Sequence, residues 1–411
     1  MTTEWISAAE AAQRLSVKQA SLYSYVSRGV LTRRRAKGTR TSLFSASEVE
    51  GLARRGRPRR APGAAELVIE TQVTEITGDQ LRYRGHDVIG LARERSFEQV
   101  AGLLWTGSLS ESGGPSAWQA TEAAIAAGSA SQAALPAGTL PLERLQVIVP
   151  ALAAADPLRL HLDPPAVIAA GRTLIAGMAD CLPDAGSGGA DRLPQAGSIA
   201  ERLVPRLCPA DPAPSLVRAL GAALVLLADH ELAASTLAAR VAASVRADPY
   251  AVVATGLGAV GGPLHGGASF GAEVMLRSAN RAADAPRAVG DLLRRGERIP
   301  GFGHYVYRES DPRAVLLMEL LREAAPRSDR LEVADAVMAE ARRRALPAPN
   351  IDFALAALAA VADMIPGAGQ AVFAVARTAG WLAHAIEEYA RGTPIRPRGI
   401  YTGLLSAPEP P

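Results

Sequence analysis

The sequence predicts an all-α fold: one large helical body preceded by a small basic head. Three observations carry that prediction. Ala and Leu dominate, aromatic residues make up only 4%, and β-branched runs are scarce, which is a helix-forming composition. Apolar residues recur at helical spacing over 215–245, 313–325 and 331–345. Gly and Pro gather at junctions such as Gly261-Gly262-Pro263 and Pro347-Ala348-Pro349, between the periodic segments. No alternation of short strands with helices runs through the chain. With 411 residues and 48% hydrophobic composition, there is enough material for one large unit and a small accessory domain.

The net charge of +3 hides an asymmetry. Residues 1–60 hold 13 Lys/Arg against 4 Asp/Glu, a net of +9, so the remainder carries −6. A basic head on a mildly acidic body points to two separate jobs. Two cysteines, Cys181 and Cys208, are too few for a disulfide framework or a zinc site, and a reducing cytoplasm is the expected compartment. The N-terminal Met-Thr-Thr-Glu-Trp has neither a basic nor an apolar signal region, so no signal peptide is expected. The longest apolar stretch, 219–228, falls well short of the roughly 20 residues a membrane span needs.

The head, 1–56, reads in order. Ser7 caps a helix through Ala8–Leu15, with Glu10 as its capping-box partner. Ser16-Val17-Lys18 turns into a second helix, Gln19–Ser27, which Gly29 ends. Arg33-Arg34-Arg35, Lys37 and Arg40 then form a wing before a closing helix near Ser47–Arg54. Through Ala8-Ala9-Glu10-Ala11-Ala12, Leu22-Tyr23-Ser24-Tyr25-Val26 and Arg28-Gly29-Val30-Leu31, this resembles the excisionase/MerR-like winged-helix family. The resemblance implies that Lys18, Ser21, Tyr23 and Tyr25 face a DNA duplex while Arg33, Arg34 and Arg35 touch phosphates. The alternative is a helical cap that binds nothing. A basic Pro-rich linker, 57–65, follows.

In the body, three histidines occupy unusual settings. Asp229-His230-Glu231 places ionisable groups at the end of the apolar stretch, where something must satisfy them. His265 lies in Gly261-Gly262-Pro263-Leu264-His265-Gly266-Gly267-Ala268, and His304 in Pro300-Gly301-Phe302-Gly303-His304; glycine lets backbone approach a ligand closely. Neither run has the spacing of a dinucleotide or phosphate loop. Asp352, in Pro349-Asn350-Ile351-Asp352-Phe353, falls in the first turn of a helix capped by Asn350. The helix dipole would make it a weak base unless an enclosed pocket desolvates it. Arg313, Arg377 and Arg396 suit the planar oxygens of a dicarboxylate.

From about Glu66 to Gly403 these motifs, in order, resemble citrate synthase. The set runs Leu81-Arg82-Tyr83-Arg84-Gly85, Ser96-Phe97-Glu98-Gln99-Val100, Asp229-His230-Glu231, Gly262 to Ala268, and Gly301-Phe302-Gly303-His304. It continues through Asp311-Pro312-Arg313-Ala314, Pro349 to Phe353, Gly380-Trp381-Leu382-Ala383-His384, and Arg396-Pro397-Arg398 with Tyr401-Thr402-Gly403. The resemblance implies a large domain of 66–266 and 357–411, and a small domain of 267–356 that closes over the ligands. It implies condensation of acetyl-CoA with oxaloacetate to citrate and free CoA, in a homodimer, with no metal or cofactor. Asp352 would take the methyl proton, His265 would bond the thioester oxygen, and His304 would polarise the ketone. His230, Arg313 and Arg377 would hold oxaloacetate, with Arg396 reaching in from the partner subunit. Ile299, Pro300, Gly301, Phe302 and Gly303 would meet CoA through backbone, and Arg343 and Arg344 would meet its phosphates.

Three positions depart from the family pattern: Ala354-Leu355 where Tyr-Ser-Gly is usual, Tyr305 where Arg is common, and Ser269 in place of Asn. None removes a catalytic group, but they bear on substrate preference. Two further readings stand beside the first: a 2-methylcitrate synthase using propionyl-CoA, and a DNA-binding regulator that senses metabolites with a citrate synthase body. One methylene is worth only about 1–3 kcal/mol of discrimination.

Overall fold

A computed structural model describes residues 5–15, 17, 19–27, 30–35, 42–54, 68–109, 118–186 and 197–397. The chain divides into two compact units, Met1–Glu70 and Thr71–Pro411.

In the first unit, strand Trp5–Ser7 leads directly into helix Ala8–Arg14, and helix Gln19–Ser27 packs beside it. Strands Arg33–Arg35 and Ser42–Ser45 follow, then helix Ala46–Arg54. The strands form one antiparallel sheet with Ser42–Ser45 in the middle, pairing Ile6 with Phe44 and Arg34 with Leu43. Ile6, Ala11, Leu22, Leu31, Phe44 and Val49 make its core. Ser7 caps the first helix as expected, its hydroxyl accepting the Glu10 N–H at 3.2 Å. The capping box does not close, however: the Glu10 carboxylate pairs with Arg14 one turn on, at 2.7 Å. Lys18, Lys37, Arg40 and the 57–65 linker lie outside the described residues.

The second unit holds fifteen α-helices among its described residues, around a single core. It opens with an element the all-α expectation omitted, a three-stranded antiparallel meander of Thr74–Thr77, Gln80–Tyr83 and His86–Asp87. Its strands have at most four residues, too few for a period of two to stand out. The reversals fall at Gly78 and Gly85, with φ of 61° and 86°.

The 215–245 segment is two helices, Pro214–Leu227 and Ala234–Ser244, parted by a turn carrying Asp229 and His230. Helix Pro312–Ala324 has Arg313 in its first turn, and Asn350 caps helix Ile351–Val361 by accepting the N–H groups of Asp352 (3.0 Å) and Phe353 (3.4 Å). The 24-residue helix Ala368–Arg391 runs through the middle, buried for most of its length, with Arg377, His384 and Glu388 sealed inside. A helix buried all round belongs to the core of a large protein or to a membrane span. No described helix is long and apolar enough to cross a membrane.

Candidate active site

The turn after helix Pro214–Leu227 is held from several sides. The Tyr83 hydroxyl donates to the Asp229 carbonyl at 2.8 Å and accepts the Asp229 N–H at 3.1 Å. Asp229 itself is fully buried, and its Oδ2 accepts from Thr74 Oγ1 at 2.5 Å. The buried carboxylate thus has the partner that its apolar setting demands. His230, the next residue, points at the Tyr307 hydroxyl, with Nε2 3.0 Å from Oη. Its ring meets that of His304 edge-on at 5.2 Å, and His304 lies 4.8 Å from the Tyr307 ring.

The loop after Gly303 turns back on its own histidine. His304 Nδ1 accepts the N–H groups of Val306 at 3.0 Å and Tyr307 at 3.3 Å. An Nδ1 occupied as acceptor puts the proton of the neutral ring on Nε2. Burial, helped by the Arg313 charge, pushes His304 down to about 4, so the ring is neutral near pH 7. The same two causes, with Arg377, hold His230 well below the usual histidine range.

Arg313 is buried and held by the residue that caps its helix. Nε and Nη2 donate to Asp311 Oδ1 and Oδ2 at 2.9 and 2.8 Å, and the guanidinium sits 5.4 Å from the Tyr307 ring centre. Asp311 Oδ2 also accepts the Ile351 N–H at 3.0 Å, tying this cation to the helix that bears Asp352. Asn350 adds a second tie by donating Nδ2 to the Gly303 carbonyl at 2.8 Å.

Asp352 Oδ1 is shut off from solvent and accepts no hydrogen bond. Burial pushes its pKa up to about 7, against the pull of Arg313 and with the push of Asp311. The helix dipole alone would have lowered it; desolvation wins, as an enclosed base requires.

His265 sits in the turn before helix Gly267–Ser278. Its Nε2 lies 2.7 Å from Ser235 Oγ, and that oxygen accepts Trp381 Nε1–H at 3.3 Å. Trp381 can only donate, so the Ser235 proton is free for Nε2, which favours the Nδ1–H form of the ring. Burial and then Arg377 push His265 down to about 4. Phe373 joins these two residues: its ring is 5.7 Å from the imidazole and 4.6 Å from the Arg377 guanidinium. Arg377 donates Nε to the Leu227 carbonyl at 2.8 Å, so the central helix carries one cation between the two histidine groups.

Other expected residues stand apart from this cluster. Arg396 is exposed on the segment after the central helix, where Ile395 N–H donates to Ser244 Oγ at 3.0 Å. The Ile299–Gly303 loop packs on helix Ile351–Val361: Phe302 bridges to Pro349, and its ring lies 4.9 Å from Phe353. Arg343 and Arg344 both pair with Glu340. Tyr305 is 99% exposed, while Ala354 and Leu355 are buried in the core. Tyr307, Ser235 and Thr74 were missed in the sequence, since single hydroxyls in mixed segments carry no periodic or spacing signal. Asp311 was visible only as part of Asp-Pro-Arg.

A desolvated carboxylate, neutral imidazoles and buried guanidiniums can remove a weakly acidic carbon-bound proton and stabilise the charge that results. No group of three or more His, Cys, Asp or Glu among the described residues is placed to hold a metal. The family model for the citrate synthase C-terminal domain matches residues 64–398. The chain belongs to the citrate synthase family. A citrate synthase of Haloferax volcanii is 33% identical over 370 residues, covering 82% of this chain and 94% of that one. Citrate synthase 2 of Bacillus subtilis is 31% identical over 366 residues, covering 81% and 93%. The crystal structure of the Thermotoga maritima citrate synthase superposes with a TM-score of 0.65 at 26% identity, covering 84% of this chain and 96% of that one. Every candidate site residue of the body, from His230 to Arg396, falls inside the matched span.

Proposed function

We propose that this chain condenses acetyl-CoA with oxaloacetate to give citrate and free CoA. The observation that carries the reading is Asp352: a half-buried residue whose sealed Oδ1 has no partner, pushed to about 7 by burial, on a helix tied through Asp311 to Arg313. Asp352 takes a methyl proton from the thioester while His265 Nδ1–H bonds its carbonyl oxygen, giving an enol or enolate. His304 Nε2–H polarises the ketone of oxaloacetate, and the nucleophilic carbon attacks it. His230, Arg313 and Arg377 grip the two carboxylates. Hydrolysis of the citryl thioester then expels the CoA thiol. A well-aimed donor at a developing oxyanion is worth about 3–4 kcal/mol.

CoA crosses the Ile299–Gly303 loop in this reading. Its phosphates then reach arginine: Arg344 lines a cavity of about 510 Å³ together with Arg287 and Arg294. Residues 267–356 act as the closing small domain, and Arg396 acts from the partner of a homodimer, which accounts for its exposure in the single chain. The expected compartment is the cytoplasm.

The test is thiol release. Purified protein should liberate CoA thiol from acetyl-CoA only when oxaloacetate is present. Release from propionyl-CoA at a higher kcat/KM would make it a 2-methylcitrate synthase instead, and release from neither would end the enzyme reading.

The head supports a second activity, contact with duplex DNA through a winged helix. Arg33, Arg34 and Arg35 are all exposed on one strand, with Arg33 over the Tyr23 ring at 5.6 Å and Arg34 over Trp5 at 4.3 Å. Tyr23 is itself 44% exposed, and Ser21 and Tyr25 are half-buried, Tyr25 packing on the head's core. Fluorescence titration with duplex DNA at several salt concentrations tests it; no binding at low salt would leave a structural cap.

A further inference from the structure

His384 belongs to a motif of the sequence to which the mechanism above assigns no task, yet it is completely buried. It lies on the central helix in line with two residues that touch the His230 turn. Arg377 donates Nε to the Leu227 carbonyl (2.8 Å), Gly380 donates its N–H to the Ala228 carbonyl (3.0 Å), and His384 Nε2 stands 3.3 Å from Asp229 Oδ2. Residues 377, 380 and 384 share one helix face. Three successive residues, 227 to 229, are thus read off along one stripe, and His230 is the fourth. The approach is close: a Cβ at position 380 would lie 2.2 Å from Asp229 Oδ1.

We propose that His384 is a positioning residue for the oxaloacetate grip: by holding Asp229 it fixes the turn that aims His230 at the substrate. The inference rests on the assignment of His230 to oxaloacetate given above. The ring's other face shows how it is oriented. Arg240 donates Nη1 to His384 Nδ1 at 2.6 Å, and a guanidinium has only N–H groups to offer. Nδ1 therefore accepts and the ring proton is on Nε2, facing Asp229. Asp229 and Glu387 both favour a second ring proton, but Arg240 occupies the place it would take. Arg240 is anchored in turn by Glu388 at 2.6 Å and Glu387 at 2.7 Å. Glu387 accepts from Thr71 Oγ1 and the Gln72 N–H, just before Thr74, whose hydroxyl holds the same Asp229 oxygen. His384 is the member of this buried network that converts a fixed Arg240 into a fixed Asp229.

The test compares His384→Leu, which loses the donor, with His384→Gln, which keeps an N–H of similar reach. The Leu variant should raise the KM and the calorimetric Kd for oxaloacetate about tenfold, with kcat and the KM for acetyl-CoA within about twofold of wild type. The Gln variant should recover most of the oxaloacetate affinity. If the Leu variant does not fold, Thr74→Val removes the other tether on Asp229 Oδ2 and should show the same selective rise. Unchanged oxaloacetate affinity in whichever of these variants folds, or an equal loss on both substrates, overturns the proposal. Wild-type protein that neither turns over nor binds oxaloacetate overturns the functional reading and this inference together; active wild type with an indifferent His384→Leu overturns the inference alone.

Discussion

Asp311 holds Arg313 through both carboxylate oxygens, at 2.9 and 2.8 Å, and with one of them also accepts the first N–H of the helix that carries Asp352. A single buried carboxylate therefore positions Arg313 and the start of the Asp352 helix together. Asp311→Ala would leave Arg313 buried and unpaired, which costs about 3–5 kcal/mol. The urea midpoint of the variant should fall accordingly, and oxaloacetate binding should disappear with it.

On the proposed mechanism Asp352 should govern the acid limb of the pH profile. It must be a carboxylate to accept a proton, and burial sets its pKa at about 7. His265 and His304, at about 4, are already neutral there. The kcat/KM for acetyl-CoA should fall tenfold per pH unit below about 7, with one proton taken up, and no histidine limb should appear until about 4. Asp352→Asn should lower kcat by about 10³-fold, within the usual range for removing a general base, while oxaloacetate binding persists.

The same shifts have opposite signs in stability. Folded Asp352 binds its proton more tightly than the unfolded chain, so its contribution falls as pH rises from about 4 to about 7. His265 and His304 bind theirs more weakly when folded, so their contribution rises from about 4 to about 6.5 and is then constant. Asp352→Asn should flatten the falling part alone, as read by urea midpoints across that window.

Tyr307 supplies the hydroxyl that meets His230 at 3.0 Å and the ring beside Arg313. Tyr307→Phe keeps the ring and removes the hydrogen bond. Oxaloacetate KM should rise about five- to tenfold, equivalent to about 1–1.5 kcal/mol, with the acetyl-CoA KM little changed.

For the head, replacing Arg33, Arg34 and Arg35 together by Ala should weaken duplex binding regardless of sequence. The slope of log K against log salt should shrink by about one for each phosphate no longer neutralised, up to three. Citrate formation by the same protein should be unaltered, since the arginines belong to the separate Met1–Glu70 unit.

Much of this site could be read from the chain because its chemistry sits in short contiguous motifs. Glycine around His265 and His304, and the Pro-Asn-Ile-Asp run that caps the base helix, are local signals of backbone geometry. Helix content followed from composition and period, while the 74–87 meander escaped because its strands are too short to show one. The Glu10 capping box failed for a related reason: Arg14, four residues on, is a competing partner that only side-chain placement decides.

By itself, then, the sequence determined the helical body, the basic head and the family, since periodicity, charge and motif order are properties of neighbouring residues. Tertiary structure decided the rest: that burial pushes the Asp352 carboxyl up to about 7 against the helix dipole, that His304 carries its proton on Nε2, and that Asp229 is answered by Thr74 and His384. The Ile351 tie to Asp311 and the two partners of Asp229 come from 40 to 155 residues away. The His304 proton follows from how its own loop folds back, with donors two and three residues on. No local pattern encodes them.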